Sequence, residues 1–221
     1  MNKEKLIHKG AEASLWYGHW FDKKVIFKHR IPKKYRLEEL DKRIRSQRTL
    51  NEARALIRVK NYGINVPQVY DIDGKNATIV MKYIEGKKLK NVLNDLDNGK
   101  KEKFFKKVGH DIAILHKNGH IHGDITTSNL IITQNENIFL IDFGLHEYSD
   151  TIEDKSVDLH LLKRVLVSSH GNDYKFCFNS FLEGYRSEYE KENKSECNMI
   201  IKNISAIETR GRYVKSYERI A

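Results

Sequence analysis

The sequence predicts an α+β chain of two lobes, the first rich in strands and the second reduced and helical. Three observations carry that expectation. Short β-branched and aromatic runs crowd the first 85 residues, helical periodicities dominate after Gly86, and 221 residues suffice for one large domain or two small lobes with a real core. The boundaries fall at 1–85 and 86–221, and the second part ends in a basic tail.

In chain order, Leu15-Trp16-Tyr17 and Val25-Ile26-Phe27-Lys28 predict strands joined by a turn at Asp22-Lys23. Leu40, Ile44, Leu50, Ala53, Leu56 and Ile57 recur at near-helical spacing along a basic helix, with a point for a break near Ser46. Val66–Tyr70 and Ala77–Met81 predict two more strands, with Asp73-Gly74 turning between them, and Tyr83-Ile84-Glu85-Gly86 forms a hinge. Phe104, Phe105, Val108, Ile112 and Leu115 then make one helix face that stops at Asn118-Gly119. Leu130–Ile132 and Ile138–Ile141 are short strands. Three further helices follow, marked by Val157, Leu161, Leu162, Val165 and Leu166, by Phe181, Leu182, Tyr185 and Tyr189, and by Ile200, Ile204 and Ile207.

Composition excludes several classes. With 39% apolar residues and a mean hydropathy of −0.64, no stretch approaches the ~20 apolar residues that span a bilayer. The first residues hold no apolar run of signal-peptide length, so the expected location is cytoplasmic, with no membrane partner. Cys177 and Cys197 are the only cysteines, which rules out a disulfide scaffold or a cysteine-zinc site. The net charge is +10, and Lys23–Lys60 alone carries 14 basic and 4 acidic residues. Clustered cations suit a polyanion such as RNA, although a lysine-rich solvated surface would look the same.

The most specific stretch is His122-Gly123-Asp124-Ile125-Thr126-Thr127-Ser128-Asn129, followed after a short strand by Asp142-Phe143-Gly144. Phosphoryl transfer from ATP requires an acceptor hydroxyl held in line and metal ions that neutralise phosphate oxygens. Asp124 would orient and deprotonate that hydroxyl or a water. Asn129 and Asp142 would hold Mg²⁺, with Mn²⁺ able to substitute, through the oxygens a hard cation requires. Upstream, Lys28 lies on a strand, as expected of a lysine contacting the α- and β-phosphates, and Glu52 lies on the following helix, where it would pair with Lys28. Gly10, Ala11, Glu12 and Ala13 occupy the place of the phosphate-covering loop, with one glycine where a typical kinase has three. Backbone groups of Lys82 and Ile84 would meet the adenine edge, with Met81 behind them. Each piece alone has an ordinary explanation: a strand lysine is usually surface charge, and His116, His120 and His122 resemble a metal cluster only by proximity. The ordered set of Lys28, Glu52, Asp124, Asn129 and Asp142 is what points to a protein-kinase-like fold.

Gly10–Ala13, Lys28–Arg36, Arg48–Ala53, Gly63–Pro67, His122–Asn129, Glu153–Leu159 and Arg210-Gly211-Arg212 together resemble the small atypical serine/threonine kinases of the KEOPS/EKC complex, the PRPK family. The resemblance covers Gly10 to Arg212 and departs at Tyr213, where a basic residue is expected. It implies a Mg-ATP-dependent kinase or ATPase that supports threonylcarbamoyl-adenosine modification of tRNA. Its implied partners are a threonylcarbamoyltransferase subunit and smaller accessory subunits, and Arg210, Arg212 and Lys215 in the tail would touch RNA.

The residues themselves agree in part. No proline follows Pro67, so the Ala-Pro-Glu of substrate-recruiting kinases is missing, and Gly123 replaces the arginine that reads an activation-loop phosphate. These features argue against a phosphorylation-switched kinase of broad peptide substrates. Three alternatives stay open. An aminoglycoside- or choline-type small-molecule phosphotransferase would share His-Gly-Asp, but not the basic Arg30–Arg36 insert. A non-catalytic tRNA-binding scaffold would have lost a metal or lysine position. RIO-type atypical kinases share the compact lobe and match the flanking motifs less well.

Overall fold

The computed structural model describes residues 2–190 and 192–217, the side chains of Asn2 and of 211–217 excepted. The chain runs β1 (Asn2–Lys9), β2 (Ala13–Trp20), β3 (Lys23–Arg30), α1 (Glu38–Asn61), β4 (Val69–Asp73) and β5 (Thr78–Lys82). It continues through β6 (Lys87–Lys88), α2 (Leu89–Val92), α3 (Asn98–Lys117), β7 (His120–Ile121), β8 (Leu130–Ile132), β9 (Ile138–Leu140) and β10 (Glu147–Tyr148). The helices α4 (Ile152–Ser169), α5 (Tyr174–Tyr189) and α6 (Lys194–Tyr217) complete an α+β fold. These elements form two compact units, one of residues up to Gly86 together with Thr133–Leu145, the other of Lys87–Ile132 and the chain from His146 onward.

The first unit is built on an antiparallel sheet of order β1-β2-β3-β5-β4. Strand alternation sends Val25 and Phe27 of β3 to one face, where they pack with Val80 against Trp16, Trp20 and Tyr70. Ile26, Lys28 and Arg30 take the other face by the same rule. Strand β1 is absent from the sequence expectations: Lys3–Lys9 are all exposed, and Lys3, Glu4, Lys5 and Lys9 carry charge, as suits a sheet edge that must not pair with another chain.

Helix α1 is continuous through Ser46, so the break expected there does not occur. Arg45 donates to Asp41 (2.6 Å), Thr49 Oγ1 donates to the Arg45 carbonyl (2.8 Å) and Gln47 donates to Asn51 (2.8 Å), bonds that stitch the helix across that point. Its buried face is Thr49, Glu52, Ala53, Leu56 and Val59; Leu40 and Ile57, counted among the periodic apolar positions, are exposed. Asp41 also anchors the basic insert before the helix, through the Lys33 amide and Arg36. The Arg45 hydrogen bond leads the interactions that hold the Asp41 carboxyl below its usual range.

In the second unit, α3 presents Phe104, Phe105, Val108, Ile112 and Leu115 inward as expected. Asp97 caps it by accepting from the Lys100 amide (2.8 Å), and Gly119 at φ +71° follows its C-terminal end. Thr151 caps α4 from the Asp154 amide (3.1 Å). Val157 points outward on this helix, and Ser156, Asp158, Leu159, Leu162 and Leu166 face the interior instead. Both cysteines are buried free thiols, and burial pushes Cys177 up to about 12.

Helices α3 and α5 cross with almost no separation. A Cβ on Gly109 would lie 1.9 Å from the Phe181 carbonyl oxygen, and one on Gly184 would lie 1.9 Å from that of Lys106. Both obstacles are helix backbone, which cannot yield without separating the helices. Gly184→Ala is therefore expected to lower stability by ~1–3 kcal/mol or more, read as a fall in the urea midpoint at constant m. An unchanged midpoint would refute the tight crossing.

Candidate active site

Lys28 and Arg30, two residues apart on β3, share one sheet face with helix α1 packed near it. Lys28 Nζ donates to Glu52 Oε1 at 2.5 Å and to Asp142 Oδ1 at 2.6 Å, while Arg30 Nη2 donates to Glu52 Oε2 at 2.7 Å. The side chains of Lys28, Arg30 and Glu52 are 6%, 5% and 1% exposed; that of Asp142 is 45% exposed. Burial pulls the Lys28 ammonium down, but the Glu52 and Asp142 carboxylates outweigh it and hold the group above the ordinary lysine value. Asp142 itself adopts φ +66°, a left-handed conformation that aspartate tolerates better than most residues, and its Oδ1 also accepts from the Gly144 amide (3.1 Å). Lys28, Glu52 and Asp142 are thus brought together within the first unit.

The second unit carries Asp124 and Asn129. Asn129 Nδ2 donates to the Asp124 carbonyl (3.0 Å) and to Asp124 Oδ2 (2.8 Å), which leaves the amide oxygen of Asn129 as the atom to face a cation. The Asp124 amide donates to His122 Nδ1 (3.3 Å). Asp158, fully buried on α4, accepts from the backbone amides of His122 and Gly123, both at 2.9 Å, and from His116 Nε2 at 3.1 Å. The Tyr185 hydroxyl lies 2.9 Å from His116 Nδ1, and burial keeps that phenol protonated. Gly123 has φ +79°, a conformation in which the arginine usual at this place would be strained. The 3₁₀ turn that carries Asn129 is pinned by His170. Its Nδ1 meets Asn94 Oδ1 (3.1 Å), its Nε2 meets the Thr127 hydroxyl (3.2 Å), and burial lowers its pKa, favouring the neutral ring.

The remaining expected residues fall as follows. Gly10, Ala11, Glu12 and Ala13 form the tight β1–β2 connection, closed by the Gly10 amide on the Ala13 carbonyl (2.9 Å). Glu12 accepts from Arg48 of α1 (3.0 Å), and Lys33 bonds the Ala11 carbonyl. Lys82 and Ile84 line a cavity of about 450 Å³ with Lys23, Tyr70, Thr133 and Phe139. The Lys82 amide is committed to the Gln68 carbonyl (2.8 Å), so only its carbonyl is left for an adenine edge. Arg210 pairs with Glu153 at 3.1 Å, and the side chains of Arg212 and Lys215 lie outside the described residues. His116, His120 and His122 each turn to a different partner, His120 toward His146 (2.8 Å). Among the described residues no helix is long and apolar enough to cross a membrane.

Residues 21–154 match the RIO domain. The chain is 46% identical over 215 residues to the KEOPS complex subunit Bud32 of Pyrococcus abyssi, a match that covers 95% of this chain and 96% of that one. The chain belongs to the Bud32 family of RIO-domain proteins. It is also 43% identical to a probable bifunctional tRNA threonylcarbamoyladenosine biosynthesis protein of Methanobrevibacter smithii and 41% identical to one of Methanocaldococcus jannaschii. Those matches cover 95% and 96% of this chain but only 37% of each relative, so the chain spans little more than a third of the bifunctional proteins. Bud32 proteins are atypical members of the kinase/ATPase class, and the RIO match unites two groups that the flanking motifs had kept apart.

Two residues of this Bud32-family chain escaped the sequence reading as parts of the site. Asp158 lay inside the quoted Glu153–Leu159 segment, and an acid between Val157 and Leu159 on an apolar helix was the available signal. Arg30 was placed only in the basic insert, although its spacing from Lys28 puts both on one strand face.

Proposed function

We propose that this chain transfers the γ-phosphoryl group of Mg-ATP to water or to a serine or threonine hydroxyl. The observation that carries the reading is Lys28 held between two carboxylates, Glu52 from helix α1 and Asp142 after strand β9. Residues 1–85 then act as the nucleotide-binding lobe and 86–221 as the reduced lobe that orients the acceptor. In this assignment Lys28 holds the α- and β-phosphates, and Glu52 fixes the Lys28 side chain. Gly10–Ala13 cover the phosphates, and the Lys82 carbonyl with the Ile84 amide meets adenine. Asp124 takes the proton of the attacking hydroxyl, steadied by the Asn129 amide that donates to it.

The oxygens of Asp142 and Asn129 suit a hard cation, and the partly exposed Asp142 carboxylate is open enough to bind one. Bound Mg²⁺ would neutralise the phosphate oxygens, which is the main catalytic demand of phosphoryl transfer.

The names of the relatives support a place in a KEOPS complex that serves tRNA threonylcarbamoyladenosine biosynthesis. In this reading the chain works in the cytoplasm beside the threonylcarbamoyltransferase subunit and accessory subunits. The basic excess of Lys23–Lys60 and of the tail (Arg210, Arg212, Lys215) supports a tRNA contact made within that complex. The test measures γ-phosphate transfer to water and to protein, with and without tRNA and the transferase subunit. Asp124→Ala is expected to lower turnover ~10²–10⁴-fold with ATP affinity unchanged. Equal turnover in wild type and variant would sink the assignment.

A further inference from the structure

Glu52 is shared between two cations. Its Oε1 accepts from Lys28 (2.5 Å) and its Oε2 from Arg30 (2.7 Å), with all three side chains almost wholly buried. A structural arginine would be expected to satisfy its guanidinium, because a buried unpaired donor costs about 1–3 kcal/mol. Arg30 does not: its Nε is buried with no hydrogen-bond partner among the described residues.

Gly144 shows where this guanidinium sits. A Cβ at that residue would lie 2.9 Å from Asp142 Oδ1, 3.5 Å from Arg30 Nη2 and 3.7 Å from Lys28 Nζ. The missing side chain therefore leaves open the spot on which both cations and the Asp142 carboxylate converge.

The charges make the consequence definite. Lys28, Arg30, Glu52 and Asp142 sum to zero. Once Asp142 serves a divalent cation, the remaining three carry one net positive charge, and without Arg30 the Lys28–Glu52 pair would carry none. Buried charge of this kind is weakly screened and acts strongly on a nearby polyanion.

We propose that Arg30 is a second cation of the phosphate site, sharing Glu52 with Lys28 so that net positive charge faces the polyphosphate of a bound nucleotide. The inference rests on the ATP reading above and extends it to a residue outside the ordered kinase set. Arg30 acts chiefly through Glu52 and Lys28, and is in that sense a positioning residue.

The experiment is calorimetric titration of the full chain with ADP and with adenosine, in Mg²⁺, for wild type, Arg30→Gln and Arg30→Lys. Adenosine lacks the phosphates and reports the rest of the pocket. Arg30→Gln is expected to weaken ADP about 10-fold, through the loss of the one net positive charge that faces the phosphates, and to leave adenosine unchanged. Arg30→Lys keeps a cation against Glu52 and is expected to weaken ADP only ~3-fold. The lysine variant decides the matter if the glutamine variant does not fold. Wild-type ADP affinity in a folded Arg30 variant, or an equal loss for ADP and adenosine, overturns the role of Arg30 alone. A wild-type chain that binds no ADP overturns the nucleotide reading, and the role of Arg30 with it.

Discussion

Asp142→Asn is expected to abolish Mg²⁺-dependent ATP turnover, a loss of ~10³-fold or more, while the melting temperature moves little. The carboxylate is the one anion proposed to hold the metal, and the amide that replaces it offers a single neutral oxygen. Asparagine is a sharper probe than alanine because of the backbone. Asp142 sits at φ +66°, which aspartate and asparagine tolerate and alanine resists by about 1 kcal/mol, so Asp142→Ala would mix strain with lost chemistry. Asparagine also keeps an oxygen to accept from the Gly144 amide. Lys28 remains bound to Glu52, so the first unit retains its buried pair. The measurement is phosphate release across a Mg²⁺ titration. Wild-type turnover at saturating Mg²⁺ in the variant would remove Asp142 from the metal site.

The parts of the site legible in the sequence were those set by short spacing. Asn129 follows Asp124 by five positions, and the structure joins their side chains at 2.8 Å. The strand before Asp142 and the strand bearing Lys28 were visible as apolar runs, and the two side chains meet at 2.6 Å. The α3 face was equally plain, because five large apolar residues at helical spacing have one way to be buried. What escaped depends on rotation and partners rather than pattern. Leu40 and Ile57 are apolar yet exposed, since hydrophobicity permits burial without enforcing it. Strand β1 carries no apolar alternation, because an edge strand takes its order from the β2 ladder and not from a core. The pattern alone gives Asp158 no partner; only the fold brings the backbone amides of His122 and Gly123 to its carboxylate. Arg30 was hidden for a similar reason: the strand period gives its face, but only the rotation of α1 shows that Glu52 reaches it.

That shared carboxylate changes what is expected of Glu52→Ala, which the simple Lys–Glu pair would make a mild copy of Lys28→Ala. In the structure the substitution strands two buried cations at once. An exposed ion pair of this kind would contribute under ~1 kcal/mol, whereas removing one partner of a buried one costs about 3–5 kcal/mol. Glu52→Ala is therefore expected to fall in the higher range, with Glu52→Gln less severe because its amide oxygen still accepts one of the two donors. The loss should also depend on pH in a stated direction. Lys28 is held above its unfolded value in the wild type, so its contribution is complete below about 10.5 and declines as pH rises through the higher folded value. Without Glu52, burial acts against less opposition and the folded Lys28 releases its proton at lower pH. The gap between wild type and variant is then widest near pH 7 and narrows toward pH 10. Urea unfolding at the two pH values measures it. A gap below ~1 kcal/mol, or one that widens with pH, would show that Lys28 and Arg30 do not depend on Glu52 for their buried charge.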